Sequence, residues 1–282
     1  MKAYKIFLLG LTLSAIAIWL AVWQFDDKFH LISCNVGQGD ATLITYKSTQ
    51  VLVDGGPNSK VIDCLSRHMP FWDRQLELVI LTHPEIDHYG GLIEVFKHYK
   101  VTTFLRNSLP IISQDYQVLK ELVGGGRVRE LDPVPGMVIR VGLIHLDILI
   151  NSENREGDTE ENINQFSIIS LVHFGNFQAL LTGDYEFKEN EKFLDSINSI
   201  IPQEGVEYIK IPHHGSKNGL TRGLLEITKP KLAVISVGKN QWGHPVPEIL
   251  ELLADFEVKT LRTDEKGDIE IISDGTSSWM TE

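Results

Sequence analysis

The sequence predicts an α/β domain in which two mixed β-sheets pack face to face with helices outside, preceded by one N-terminal transmembrane helix. Two observations predict the sheets: strand-type segments recur in two blocks, and each block also contains helical segments. A third observation, an uncharged apolar run near the N-terminus, predicts the membrane helix. The 282 residues are within the range of a single layered α/β domain with one large core.

The apolar run is the 18-residue segment Ile6–Trp23, with Lys2 and Lys5 before it and two aspartates after it. At about 1.5 Å per helical residue it just spans a bilayer core of about 30 Å. Its length and the lack of a clear cleavage site favour an uncleaved anchor over a cleaved signal peptide. The flanking charges favour a cytoplasmic N-terminus. We therefore expect residues 1–27 to anchor a single-pass membrane protein and residues 28–282 to form an extracytoplasmic domain.

The first strand-rich block opens with three strands separated by turn-type sequences, which predicts an antiparallel meander. These strands are predicted over His30–Val36, Ala41–Tyr46 and Gln50–Val53. Helical and strand patterns then alternate along the chain. They predict helices over 59–68, 92–99 and 114–123, and strands over 76–81 and 101–105.

The second block is also rich in strands, and it contains a polar, acidic stretch over 151–164 that predicts a solvated loop. Strand patterns cover 137–141, 144–150, 166–174, 177–182, 206–211, 232–237, 258–261 and 268–272. Helical patterns cover 187–197, 222–228 and 247–254. Two blocks of this kind favour a sandwich of two sheets with helices on the outer faces.

The composition is acidic, with 26 Lys and Arg residues against 38 Asp and Glu residues and a formal net charge of −12. No overall basic surface is available to attract nucleic acid, so a polyanionic substrate needs a local attraction that divalent ions in a site can supply. The two cysteines, Cys34 and Cys64, stand in apolar contexts. They either pair or remain as buried free thiols, and the sequence leaves both possibilities open.

The strongest functional pattern is a cluster of four potential metal ligands within six residues, directly after the apolar run 78–81. The four are His83, Glu85, Asp87 and His88. A strand that ends in such a cluster leaves imidazole and carboxylate groups on a loop, where a rigid sheet can hold them around a divalent ion. A Gly90-Gly91 pair follows, which lets the next helix approach closely.

Five other segments also end an apolar run with polar residues and glycine, and we expect all of these strand ends to gather into one cleft. They are 35–40, 53–57, 181–184, 211–216 and 243–245. From an extended segment, His213 and His214 point in opposite directions, so we expect one of them to face the metal. Four other histidines lack this context and are interpreted as structural, namely His68, His98, His145 and His173.

Neutral imidazoles with a few carboxylates leave a bound metal electrophilic, and such a metal lowers the pKa of bound water from about 15.7 towards about 7. A carboxylate such as Asp184 can bridge two ions about 3.5–4 Å apart, which suits attack on a phosphoryl centre. A serine hydrolase is the weaker interpretation, because G-x-S-x-G is absent and Ser216 stands in a turn. Neither nucleotide-binding glycine motif occurs in the chain.

At these residues the chain resembles the metallo-β-lactamase superfamily. His83-x-Glu85-x-Asp87-His88 is similar to its H-x-H-x-D-H motif. The other five segments resemble the soluble hydrolase domain of the ComEC-type competence proteins, which carry DNA across bacterial membranes. The resemblance covers nearly all of residues 29–273, and it implies a four-layer αββα fold with the site at one edge of the two sheets.

The resemblance also implies roles for individual residues. His83 would bind a first metal, Asp87, His88 and His244 a second, and Asp184 would bridge the two. Either His213 or His214 would complete the cluster or contact a substrate phosphate. Catalytic roles are expected for Asp87, Asp184 and His214, and substrate contacts for Asp40, Asn164, Ser167 and Ser216.

Three departures from the superfamily pattern affect the expected metal site. Glu85 stands where the superfamily has its second histidine, which predicts an oxygen-rich first site that prefers Mn²⁺ to Zn²⁺. The superfamily's third histidine has no clear counterpart, because His173 falls inside a predicted strand. Asn35 stands at a position where an aspartate is common. We therefore expect one or two divalent ions, either Mn²⁺ or Zn²⁺.

The leading functional prediction is a phosphodiesterase or nuclease anchored in a bacterial cell membrane, acting on single-stranded DNA or a small phosphodiester. The same metal chemistry can also hydrolyse a lactam, lactone or thioester, although Glu85 disfavours that alternative. A third hypothesis is a non-catalytic module that keeps the fold and binds a partner. Crowded carboxylates at Asp87 and Asp184 argue against it, since they have no structural benefit without a cation.

Overall fold

Two mixed β-sheets lie face to face in the computed structural model, which describes residues 2–22, 26–109, 113–150, 160–190 and 192–281. Helices pack on the outer face of each sheet, so the chain forms four layers in the order helices, sheet, sheet and helices. The two-sheet α/β architecture predicted from the sequence is confirmed.

Most of the predicted elements are present with similar bounds, and four short elements were not predicted, over 86–89, 129–131, 263–266 and 278–280. The strands are β1 Phe29–Ser33, β2 Thr42–Tyr46, β3 Thr49–Val53, β4 Gln75–Leu81, β5 Lys100–Arg106, β6 Arg129–Leu131, β7 Val138–Val141, β8 Ile144–Leu149, β9 Ile169–Phe174, β10 Phe177–Leu181, β11 Tyr208–Lys210, β12 Leu232–Ile235, β13 Lys259–Arg262, β14 Ile269–Ser273 and β15 Ser278–Met280. The α-helices are α1 Lys2–Val22, α2 Lys60–His68, α3 Ile86–Tyr89, α4 Leu92–His98, α5 Gln114–Val123, α6 Phe193–Asn198, α7 Arg222–Thr228, α8 Pro247–Asp255 and α9 Thr263–Lys266.

The strand order explains why the candidate ligands meet at one edge. The first sheet has the order β15-β14-β1-β2-β3-β4-β5-β6, and the second has β13-β12-β11-β10-β9-β8-β7. Strands β1 to β3 form the predicted antiparallel meander. Strands β3, β4 and β5 are parallel to one another, as are β10, β11 and β12. The carboxyl ends within each parallel set therefore lie on one side of the sheet.

The core between the sheets comes from apolar side chains that alternate along the strands. On β8, Ile144, Leu146 and Ile148 point into it, while His145 and Asp147 point outwards. Each outer helical layer has its own buried apolar cluster. The three clusters fix both sheets, so the loops at their shared edge rest on a rigid base.

Cys34 and Cys64 form a disulfide that joins the segment after β1 to α2. Both cysteines are fully buried in the outer core of the first sheet. The sequence left open whether they pair, and the structure shows that they do. Closing a loop between residues 30 positions apart stabilises the folded chain by about 3–4 kcal/mol in the chain-entropy model.

The helix predicted over 187–197 is wrong, because it is broken into a 3₁₀ turn, Phe187–Glu189, and helix α6. Phe187 and Phe193 are both buried. Six residues apart on a continuous α-helix, they would point about 120° away from each other, so the break lets both rings pack on the sheet. The loop predicted over 151–164 is also corrected in part, because Glu160–Phe166 forms a 3₁₀ helix and delays the start of β9. Residues 151–159 of that loop lie outside the described residues.

Among the described residues, no helix has both the length and the apolar character needed to cross a membrane. The predicted transmembrane anchor, and with it the predicted single-pass membrane localisation, is therefore wrong. Helix α1 begins at Lys2 and ends at Val22, so the part without lysine, from Ile6, holds 17 residues. That length is at the lower limit of about 17–25 residues for a membrane span.

Candidate metal centre

The site lies where the carboxyl ends of parallel strands from both sheets meet. From the first sheet, Asp54 follows β3 and His83 follows β4 after one residue. From the second sheet, Asp184 follows β10 and Lys210 ends β11. The two glycines that follow the His83–His88 loop, Gly90 and Gly91, allow it to pack closely against the segment after β3. A side chain at Gly91 would overlap the carbonyl oxygen of Gly55.

The tightest group of potential ligands centres on Asp184. One ligand atom from each of Asp87, His88, Asp184 and His214 lies within 4.8 Å of the others. Oδ2 of Asp184 is 3.3 Å from Nε2 of His88 and 3.2 Å from Nε2 of His214. Nε2 of His214 is also 3.3 Å from Oδ2 of Asp87. Four residues that the sequence singled out from three separate segments therefore share one buried space.

Hydrogen bonds to Nδ1 fix the histidines of the first sheet. Nδ1 of His88 donates to Oδ2 of Asp54 at 2.8 Å, and Asp54 also accepts the backbone N–H and the hydroxyl of Thr82. Because the Thr82 hydroxyl hydrogen is used in this way, its oxygen accepts from Nδ1 of His83 at 3.1 Å. Both rings thus present Nε2 to the site, and Nε2 of His83 is buried with no hydrogen-bond partner among the described residues.

The two consecutive histidines are held by the same kind of contact. Nδ1 of His214 donates to the carbonyl oxygen of Ser236 at 2.8 Å, and Nδ1 of His213 lies 3.0 Å from Oε1 of Glu186. The expectation of an extended segment is wrong here, because His213 and His214 adopt left-handed conformations with φ of 48° and 52°. Both Nε2 atoms therefore approach Asp184, at 3.2 Å for His214 and 4.0 Å for His213.

Other predicted ligands lie around this group. Oε2 of Glu85 is 4.0 Å from Nε2 of His83, and the Glu85 side chain is partly open to solvent. The ring centroids of His244 and His213 are 5.5 Å apart. Nδ1 of His244 is buried with no hydrogen-bond partner in the described part of the chain. Four predicted ligands therefore lie beside the tightest group without belonging to it, namely His83, Glu85, His213 and His244.

The residues expected to contact substrate occupy different environments. Oγ of Ser167 accepts the backbone N–H of Asp184 at 3.2 Å, and Oγ of Ser216 accepts that of Asn218 at 3.4 Å. Both serines are buried. Oδ1 of Asn164 is buried and unpartnered within the described residues. Asp40 is buried in an ion pair, described next.

A buried lysine beneath the ligands balances their charge. Lys210 is 3% exposed, forms an ion pair with Asp40, and donates from Nζ to Oδ1 of Asp184 at 3.1 Å and to the Gly183 carbonyl at 2.8 Å. Burial would lower the pKa of Lys210, but the two carboxylates raise it, so Lys210 stays charged. Asp40 belongs to the first sheet's loops and Lys210 to the second sheet, so this pair joins the two halves of the site.

The pKa values show how the site is charged before a metal binds. Burial would raise the pKa of Asp184, but His214, His88 and Lys210 lower it well below its usual range. Burial would lower the pKa of His88 and of His214, yet Asp184 and neighbouring carboxylates raise both well above the ordinary value. Burial and the charge of His88 lower the pKa of His83 to about 3, so His83 is neutral. Protons on His88 and His214 thus stand where a cation would replace them.

The residues present fit divalent cations. Each of the ring nitrogens facing Asp184 belongs to an imidazole whose other nitrogen has a fixed acceptor, which is the arrangement of metal-binding histidines. The buried, unpartnered Nε2 of His83 and Nδ1 of His244 supply further donors. Carboxylate oxygens of Asp87 and Asp184 complete a mixed nitrogen and oxygen set.

Sequence reasoning missed Asp54 and Lys210. Asp54 lies in one of the predicted strand-end segments, 53–57, but no local pattern indicates that its partner is His88, 34 residues away. Lys210 carried a signal that could have been used, since it is a lysine in the otherwise apolar segment 208–211. Such a residue in a central strand is buried, and a buried lysine needs carboxylate partners.

The fold and this donor set define the class of protein. Residues 34–149 match the family model of the metallo-β-lactamase superfamily, so the chain contains a domain of this superfamily. Members of this superfamily are generally metal-dependent hydrolases, and the fold implies divalent ions such as zinc.

Two curated bacterial proteins resemble the chain in sequence. It is 30% identical over 199 residues to ComE operon protein 3 of Bacillus subtilis (strain 168), covering 70% of this chain and 24% of that protein. It is 26% identical over 254 residues to Recombination protein 2 of Haemophilus influenzae, covering 88% of this chain and 29% of that protein. The chain thus spans less than a third of the length of these relatives.

A solved structure shows the same fold. The metallo-β-lactamase fold protein YhfI from Bacillus subtilis superposes with a TM-score of 0.60 at 12% sequence identity. The match covers 87% of this chain and 100% of that one. The ComEC-type resemblance seen in the motifs is supported by the two sequence relatives, and the solved structure supports the fold alone.

We predict that Lys210→Met destabilises the metal-free protein by about 3–5 kcal/mol, because it leaves Asp40 and Asp184 buried without their shared cation. Urea unfolding in EDTA measures this change. The control is Lys231→Met, which removes an exposed ion pair to Glu207 and should cost no more than about 1 kcal/mol. Equal losses for the two variants would contradict the charge-balancing role of Lys210.

We predict that Asp54→Asn weakens divalent metal binding by about 10–100-fold, because it weakens the hydrogen bond that orients His88. Calorimetric titration with Mn²⁺ or Zn²⁺ measures the affinity. Asp147→Asn is the matched control, since Asp147 also lies between two histidines, His145 and His173, but outside the site. Unchanged affinity in Asp54→Asn would show that this contact does not support the metal centre.

Proposed function

We propose that the chain is a metal-dependent phosphodiesterase that hydrolyses phosphodiester bonds in DNA. The observation that carries the proposal is the position of Asp184, whose Oδ2 lies 3.3 Å from Nε2 of His88 and 3.2 Å from Nε2 of His214. A carboxylate next to two imidazole donors is suited to bridge two ions, and paired ions suit displacement at phosphorus. The relatives support DNA as the substrate, since one is a Recombination protein and the other belongs to a ComE operon.

Bound ions would supply an activated water molecule and would stabilise the negative charge that develops on the phosphoryl oxygens. The protein's own residues would do the remaining work. Asp87 is less buried than Asp184 and lies at the floor of an open cleft, so its carboxylate can orient the water and accept its proton. As the water oxygen bonds to phosphorus, the bond to the leaving oxygen breaks.

His213 is placed to act on the leaving group. It is the more exposed of the two consecutive histidines, and Glu186 holds its Nδ1, so Nε2 is available on the site side. A proton from Nε2 can pass to the leaving oxygen as the bond to phosphorus breaks. His214 is fully enclosed and held by Ser236, which suits a fixed ligand rather than a group that moves a proton.

Glu85 favours manganese over zinc. Its carboxylate stands beside His83 in place of an imidazole, which makes the first site richer in oxygen. Oxygen donors suit Mn²⁺, whereas nitrogen and sulfur donors suit Zn²⁺. We therefore propose Mn²⁺ as the ion that supports turnover.

The test is release of nucleotides from labelled single-stranded DNA, and hydrolysis of bis(p-nitrophenyl) phosphate, by the full chain with Mn²⁺. Asp184→Asn should lower turnover by at least about 10³-fold, because it removes the central charge of the site. Asp147→Asn, which changes a carboxylate outside the site, should retain full turnover. Absence of hydrolysis of both substrates by folded, metal-loaded protein would overturn the proposal, as would equal rates in Asp184→Asn.

A further inference from the structure

A cleft of about 820 Å³ borders the metal centre at Glu85 and Asp87. One wall comes from the first sheet's loops and includes two acidic residues of the site, Glu85 and Asp87. The other wall is the loop between β12 and α8. The charged and aromatic side chains that line the cleft are Lys60, Glu85, Asp87, Lys239 and Trp242.

Trp242 is the prominent apolar side chain of this cleft. It is 61% exposed, which is the highest value among the tryptophans that the structure describes. Its indole is stacked at 27° to the ring of His244, with 6.4 Å between the ring centroids. His244 in turn lies beside His213. A line of rings therefore runs from the metal centre outwards and ends in an aromatic surface open to solvent.

Two lysines flank the same cleft. Lys60 and Lys239 are exposed, and neither forms an ion pair with any carboxylate in the described ranges. Nζ of Lys60 lies close to the loop at Gly37, since a Cβ on Gly37 would be in ordinary van der Waals contact with it at 3.5 Å. In a chain of net charge −12, these cations provide a local attraction for an anion at the mouth of the site.

Each of these features is ordinary when it occurs alone, because exposed lysines and single exposed aromatic residues are common on protein surfaces. Their combination around one cleft is specific. An open aromatic face binds a nucleobase that is not already stacked, and flanking lysines bind the phosphates on either side. In a duplex the base faces are covered by neighbouring base pairs and cannot reach such a surface.

We propose that this cleft is a binding subsite for single-stranded nucleic acid, in which a base stacks on Trp242 while Lys60 and Lys239 contact backbone phosphates. The proposal rests on the proposed phosphodiesterase function and names the form of substrate that the site accepts. The strand would pass over Asp87 and Glu85, which places a phosphodiester bond at the metal centre.

The stacking contact is tested by binding of labelled oligothymidylate and of an abasic oligomer with the same number of phosphates. Both are linked by phosphorothioates, and affinity is measured by fluorescence anisotropy with Mn²⁺. The native chain should bind oligothymidylate about tenfold more tightly, because stacking on an aromatic side chain contributes to each bound base. Trp242→Ala should lose this preference and Trp242→Phe should keep most of it. Trp279→Ala, at an exposed tryptophan outside the cleft, should bind both oligomers as the native chain does.

The lysine contacts are tested by the salt dependence of oligothymidylate binding. Each phosphate contact contributes about −0.7 to the slope of log K against log salt for single strands. Replacement of both Lys60 and Lys239 by alanine should therefore make the slope shallower by about 1.4. Lys100→Ala, at an exposed lysine elsewhere, should leave the slope unchanged.

Three outcomes would overturn the proposal: no preference of the native chain for bases, a preference that survives in Trp242→Ala, or an unchanged salt slope in the double lysine variant. Hydrolysis of bis(p-nitrophenyl) phosphate separates the two proposals, since this substrate contains no base. Hydrolysis without base preference would leave the phosphodiesterase intact and remove the subsite. Base preference without hydrolysis of either substrate would leave the subsite and remove the phosphodiesterase.

Discussion

The site depends on the hydrogen bonds that hold Nδ1 of four histidines, His83, His88, His213 and His214. An imidazole can turn about its bond to Cβ and carry its proton on either nitrogen, so an unheld ring is a poor ligand. Asp54 holds His88, and the Ser236 carbonyl holds His214. Each acceptor belongs to the end of a different strand, so the ring positions follow from the packing of the two sheets. The orientation of the metal-binding nitrogens therefore follows from the way the two sheets pack together.

The second constraint is charge. Several carboxylates converge in a buried space, which is possible only because cations are buried with them. Lys210 is a permanent cation that joins Asp40 of one half to Asp184 of the other. Neighbouring carboxylates raise the pKa of His88 and of His214, which favours protons at the positions that divalent ions would take. The same arrangement therefore supports the metal-free fold and prepares the site for metal.

Much of the fold was predictable because the relevant signals are local. Strand and turn patterns predicted the meander of β1 to β3. Polar residues and glycines at the ends of apolar runs predicted where the ligands meet. Long-range partners were not predictable. The backbone of His213 and His214 turns left-handed where the segment is hydrogen-bonded to other loops, from His213 N–H to the Gly183 carbonyl and from Val246 N–H to the Gly215 carbonyl. No pattern in the segment shows this. The transmembrane prediction failed because it relied on the length of an apolar run that was close to the limit.

The central claim is that loops from both sheets form a divalent metal site around Asp184, and anomalous X-ray diffraction from crystals grown with Mn²⁺ tests it most directly. The account predicts an anomalous peak in contact with Asp184, His88 and His214, with the His83 and Glu85 side chains at a second position. Metal-loaded crystals with no peak at Asp184 would contradict the account, and so would ions bound only at surface carboxylates.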